Sequence, residues 1–211
     1  MGTTTASRTD LTKILREAIV SGEYAPNQRL IEADLSATYG ASRAAVRTAL
    51  LELAAEGIVD RLPNRGSRVR AIPLPEAIEI LEVRISLEGL CAAKAAENIT
   101  DAEITEFTQL RADILAAAQS DLFEYSRLNQ LLDRRIREIA NHPTAVAILE
   151  RLRAQGVRHQ FRLAFYPGRA AVSAPEHAAI IDAITSRDPV RAEAETRTHL
   201  ASVIQALRTI G

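Results

Sequence analysis

Residues 32–62 read EADLSATYGASRAAVRTALLELAAEGIVDRL, and the order of breaks and apolar spacings in this stretch decides the fold. A short helix is predicted over Glu32 to Tyr39, ended by Gly40 as a C′ residue. Ser42 is a suitable N-cap for a second helix running to about Glu56. Val46, Ala49, Leu50 and Leu53 give that helix one apolar face, and Gly57 closes it. Ile58 to Leu62 and Ser67 to Ala71 then alternate like strands, and Pro63-Asn64-Arg65-Gly66 joins them as a tight hairpin. Upstream, Thr9 to Ser21 carries Leu11, Ile14, Leu15, Ala18 and Ile19 at helical spacing, Gly22 stops it, and Glu23 to Gln28 reads as a turn. The order is three helices and a two-stranded wing.

Downstream the character changes. Ala71-Ile72-Pro73-Leu74-Pro75 holds two prolines two residues apart, a short, stiff, extended connector. Beyond it the chain reads as about six amphipathic helices, roughly 75–97, 101–119, 121–140, 143–165, 174–186 and 188–209. Thr100-Asp101-Ala102-Glu103 is a capping-box pattern, and Asp188-Pro189 places proline at a first helical position. Short loops between such helices make an antiparallel bundle. The expected fold is mainly α: a winged helix-turn-helix over 1–72, a linker at 73–76, and an all-α bundle over 77–211.

The 211 residues are 47% apolar and 25% charged, which excludes wholesale disorder. One cysteine, Cys91, excludes an intrachain disulfide and fits a reducing cytoplasm. The polar start of the chain suggests no signal peptide, and no 18-residue apolar run suggests no membrane partner. Aromatic residues are only 4% of the chain, too few for a base-stacking platform. The net charge of −1 argues against a nucleic-acid partner until it is divided. Residues 1–72 hold 10 basic and 8 acidic side chains, and residues 73–211 hold 16 and 19. Between Gly40 and Ala71 six arginines face three acids, a local basic footprint.

A short helix, a glycine turn and a second helix form the helix-turn-helix pattern, whose second helix reads the major groove with its N-terminal residues. Those residues are Ser42, Arg43, Ala44 and Arg47. The alternative is a merely solvated basic face, but pattern, wing and charge agree on double-stranded DNA. The run Ser42 to Leu50, then Glu56-Gly57-Ile58-Val59 and Arg65-Gly66-Ser67-Arg68-Val69, resembles the N-terminal winged helix of the GntR family. The second half, with Glu82-Val83-Arg84 and Leu87-Glu88, resembles the FCD domain of the FadR subfamily, and its six helices the VanR-like branch. The resemblance implies a homodimeric, ligand-responsive transcriptional regulator, usually a repressor. Its DNA contacts would be Arg43, Ala44, Arg47, and Arg65 and Gly66 in the wing. Ala33 departs from the family, which often has arginine there.

In the bundle, Asn129 and Asp133 are i, i+4 on one helix, and His177 and His199 lie on the last two helices. Two imidazoles, a carboxylate and an amide oxygen make a first shell for a divalent ion, or else four ordinary helix side chains. The 22-residue spacing of the two histidines matches the FCD metal pattern, which implies zinc or nickel. Asn129 and Asp133 stand where that pattern usually has Asp and His. Arg84 is either a partner for a small carboxylate effector or the i, i+4 partner of Glu88, and Arg158 is a weaker candidate of the same kind. Cys91 reads as a small apolar core residue. A metal-dependent enzyme in the bundle and a binding module without DNA function are the alternatives, but no motif places a general acid or base.

Overall fold

The computed structural model describes residues 8–62 and 66–210, with the side chains of residues 8–10, 157, 158, 160–162 and 164 outside the description. The chain divides into two compact units, one reaching to Pro73 and taking in Arg153–Arg158, the other formed by Leu74–Leu152 and the residues from His159.

In the first unit α1 (Arg8–Val20), β1 (Arg29–Leu30), α2 (Glu32–Tyr39), α3 (Arg43–Ala55), β2 (Val59–Leu62) and β3 (Gly66–Val69) follow in order. Gly40 takes the left-handed conformation (φ 61°) that lets its N–H reach the Ser36 carbonyl and end α2. Ser42 Oγ accepts from the Ala45 N–H at 3.1 Å and caps α3, which starts at Arg43. Val46, Ala49, Leu50 and Leu53 of α3 are buried against Leu11, Leu15 and Ile19 of α1. Each fully buried aliphatic side chain of this kind contributes about 1.5–3 kcal/mol. The sheet has three antiparallel strands in the order β1-β3-β2, where the sequence suggested two. β1 is two residues long, too short to display an alternating pattern. Residues 63–65, the middle of the hairpin expected from the sequence, lie outside the described residues.

The second unit holds α4 (Leu74–Asn98), α5 (Asp101–Ser120), α6 (Leu122–Ala140), α7 (Pro143–Ala164) apart from its residues 153–158, α8 (Arg169–Thr185) and α9 (Pro189–Ile210). Helix α4 begins at Leu74, so Pro75 falls in its first turn, where a missing N–H costs nothing. Ala92, Ala95 and Ala96 are fully buried, and such small side chains let the neighbouring helices approach α4 closely. Thr100 and Glu103 form the capping box reciprocally at the start of α5. Helix α8 starts at Arg169, five residues before the expected 174, and carries Pro175 inside it. The real start is marked by Gly168 at φ 80°. Among the described residues no helix is long and apolar enough to cross a membrane.

Candidate functional site

Arg43 and Ala44 are the first two residues of α3 and both are exposed, while the opposite face of the helix is anchored in the core. Among the described residues Arg43 and Arg61 make no hydrogen bond or ion pair. Arg47 is engaged: its Nε donates to Glu32 Oε1 at 3.1 Å and its Nη2 to Glu32 Oε2 at 2.8 Å. This fork holds the Glu32 carboxyl below its usual range, with Arg43 and Arg61 adding to the effect. Asp60 pairs with Arg68 at 3.1 Å and Arg70 at 3.8 Å, and Glu56 with Arg16 at 2.6 Å. The net positive charge counted over 40–71 is thus thinner in space than in sequence, because Glu32 enters from outside that stretch. Gly66 has φ 83° and open space where a Cβ would stand, so its backbone is accessible. Arg65 lies outside the described residues.

The bundle brings His177 of α8 and His199 of α9 together, with ring centroids 4.3 Å apart. Ser173 Oγ donates to the Arg169 carbonyl at 3.0 Å and faces the Tyr125 hydroxyl at 2.6 Å, and that hydroxyl lies 3.3 Å from His177 Nδ1. With the serine proton spent, Tyr125 donates to Ser173, and His177 Nδ1–H donates to Tyr125. His199 Nδ1 is 2.8 Å from Glu176 Oε2, an acceptor, so it too carries the proton. The His177 Nε2 is therefore left with a lone pair. Arg169 backs Glu176 at 3.1 Å and donates to Ser202 at 2.7 Å. Burial, then the charges of His199 and Arg169, push the His177 pKa well below its ordinary value against the opposing pull of Asp133, which keeps the ring neutral. Glu176 ends below its usual range, because His199, Ser202 and Arg169 outweigh its burial.

These two imidazoles border a cavity of about 30 Å³ shared with Glu88, Cys91, Asp133 and Arg137. Asn129 Oδ1 is buried without a hydrogen-bond partner. Such an orphan acceptor is costly unless a ligand meets it. A lone-pair imidazole, a second imidazole backed by a carboxylate, and an unspent amide oxygen fit a divalent ion in kind. Among the described residues, however, no three of His, Cys, Asp and Glu converge on one point as a metal centre needs. Arg84 is buried and directed at Glu88, with Nε 2.8 Å from Oε1. The side chain of Arg158 lies outside the described residues.

Residues 8–69 match the bacterial regulatory proteins of the gntR family, and residues 79–202 match the FCD domain. The chain belongs to the GntR family. The HTH-type transcriptional repressor RspR of Escherichia coli strain K12 is 27% identical over 199 residues, spanning 94% of this chain and 87% of that protein. The HTH-type transcriptional repressor NanR of Klebsiella aerogenes is 29% identical over 230 residues, spanning 93% and 84%. The solved structure of E. coli McbR/YncC has a TM-score of 0.76 at 23% identity, covering 98% of this chain and 97% of that one. A GntR regulator from Rhodococcus sp. RHA1 gives 0.76 at 20% identity, over 97% and 98%. The last two are likenesses of fold. GntR proteins are DNA-binding transcription regulators rather than enzymes, and FCD domains hold metal ions in some members. This sets aside the enzyme alternative.

Several members of this GntR chain's polar network went unnoticed in the sequence. Tyr125, Asn129 and Asp133 fall at i, i+4 and i+8 on α6, a polar stripe beside apolar Leu128, Leu132 and Ile136. Ser173 and His177 repeat the i, i+4 relation on α8, and Glu176 is next to His177 in sequence. Read as stripes, those spacings signal the network. Glu32 gives no local signal, because its partner is 15 residues away on another helix.

Proposed function

We propose that this GntR protein is a transcriptional repressor released by a small carboxylate metabolite. Its reading unit, residues 1–72, contacts operator DNA through Arg43, Ala44 and Arg47 in the major groove and Arg65 and Gly66 at the wing. Its sensing unit, residues 77–211, joins two copies into a homodimer, since a pseudo-palindromic site calls for two-fold symmetry. Residues 73–76 pass the response from one to the other. The observation that carries the reading is the exposed first turn of α3, two arginines and a small residue on a helix whose other face is locked in the core. A band shift with the DNA upstream of its own gene tests it. Arg47→Ala should abolish the shift and leave the circular dichroism unchanged; undiminished binding overturns the assignment.

In the sensing unit His177 and His199 would hold a zinc or nickel ion, with Asn129 and Asp133 completing the set. When bound, the ion would supply a fixed positive charge for an effector carboxylate, with Arg84 and Arg158 as further candidate cationic groups for that carboxylate. Support comes from the His177 Nε2 lone pair, the Glu176 backing of His199 and the unspent Asn129 oxygen. Zinc or nickel should raise the melting temperature of the purified protein. No shift with any divalent ion, and no metal by elemental analysis, refutes the metal.

A further inference from the structure

The fork between Arg47 and Glu32 occupies one particular side of the guanidinium. Glu32 takes Nε and Nη2, the side-on pair. A guanidinium has five N–H donors in a fixed plane, so the end-on pair, one hydrogen each from Nη1 and Nη2, remains available. Two parallel donors at that spacing match O6 and N7 of guanine on the major-groove edge. A free arginine on a flexible stem would swing equally well to a phosphate, which carries no sequence information. Arg47 is 63% exposed and Glu32 34%, and an exposed pair adds little to folding stability, so stability is a poor explanation for a two-bond clamp.

Glu32 also sits among the cations of the reading face. Arg43 and Arg61 both act on its carboxylate, as Arg47 does. A negative charge in that position repels phosphate while the arginine it holds still reaches a base. Non-specific affinity is lowered and base readout kept.

We propose that Glu32 is a specificity-determining residue of the reading face, holding Arg47 end-on to a guanine and discouraging phosphate contact. This rests on the reading of α3 as the operator-contacting helix. As the first residue of α2, Glu32 also suits the helix dipole, and a purely structural role would act through that alone.

The test is selection from random-sequence duplexes by the full-length wild type, Glu32→Gln, Glu32→Ala and Arg47→Ala, followed by titration of each protein against the selected duplex and against calf-thymus DNA. The wild type is expected to fix a guanine in each half-site. Both Glu32 variants should lose that guanine and keep the other selected positions. Their affinity for calf-thymus DNA should rise several-fold, and the ratio of specific to non-specific affinity should fall about tenfold or more. Melting temperatures measured in parallel separate a folding effect. If the Glu32 variants select the same guanine with unchanged affinities, or lose both affinities together with melting temperature, the inference is overturned. If Arg47→Ala still selects the wild-type sequence, or the wild type selects nothing, the operator-reading assignment itself falls. If Arg47→Ala loses the sequence while the Glu32 variants keep it, only the role of Glu32 falls.

Discussion

Replacing Arg43 with alanine should separate DNA binding from folding, and replacing Arg68 should do the reverse. Arg43 is exposed at the first position of α3 with no hydrogen bond or ion pair among the described residues, so its loss removes only a solvent-screened attraction to Glu32. A cation at a helix N-terminus opposes the dipole, and alanine favours helix, so stability should rise by a few tenths of a kcal/mol or stay within about 0.5. DNA binding should suffer. A lost guanine fork costs about 1–3 kcal/mol, roughly 5- to 150-fold, and a lost phosphate contact lowers the slope of log K against log salt by about 0.9. Arg68 lies directly across from Asp60 in the β2–β3 register and pairs with it at 3.1 Å, with side chains 40% and 33% exposed. Breaking that pair should cost about 0.2–1 kcal/mol of stability. Its charge is already compensated in place, so DNA affinity should change less than about threefold. Fluorescence anisotropy of a labelled upstream duplex across a salt series, beside urea unfolding followed by circular dichroism, measures both quantities. Equal loss of DNA affinity in the two variants would show that the pairing of wing arginines is irrelevant to the footprint and refute the reasoning.

Gly40→Ala should destabilise the first unit by about 1–2 kcal/mol, from left-handed strain alone, since nothing lies within 4 Å of the added carbon; an unchanged urea midpoint would contradict this. The Thr100 N–H and hydroxyl, with Arg135, hold the Glu103 carboxyl below its ordinary 4.5. Its stabilising contribution is therefore complete above that value and lost as pH falls through the lower folded pKa. Melting curves of Glu103→Ala and wild type should differ at neutral pH and converge in acid, and a gap that widens in acid would reverse the sign argument. Asn129→Asp should tighten zinc binding by adding charge at the orphan position, and Glu176→Gln should weaken it about 10- to 100-fold by releasing His199. Equilibrium dialysis with zinc alone decides both, and indifference to either change removes that residue from the metal reading.

What was legible in the sequence was local. Gly40, Ser42, Thr100 and Pro189 mark helix ends through hydrogen bonds made within a few residues, and those ends lie where the spacing put them. The apolar stripe of α3 gave its buried face for the same reason. The expected start of α8 at 174 was late: the helix begins after Gly168 and carries Pro175 six residues in. The clamp on Arg47 and the carboxylate behind His199 were illegible because each joins two helices, and helix packing is not a periodicity. The FCD resemblance, rather than the spacing alone, pointed to His177 and His199 together, and their rings lie 4.3 Å apart. It carried no information on which ring nitrogen would be free, which depends on Tyr125, Ser173 and Glu176.

The smallest element has a mechanical consequence. Leu30 of β1 pairs with Ser67 of the wing, and Val69 exchanges backbone bonds with Asn27 and Gln28, so β3 is held on both edges. One residue after β1 the chain enters α2, whose Glu32 grips α3. Backbone pairing thereby ties β1 to the wing root, and the Glu32 fork ties α2 to α3. If α3 and Gly66 contact operator DNA as proposed, the distance between them would act as a gauge for one separation between a major groove and the minor groove beside it. DNA whose groove widths depart from that gauge would not meet both contacts. Such DNA would have to deform to fit or be passed over, so base pairs that no side chain touches would also enter the choice of operator.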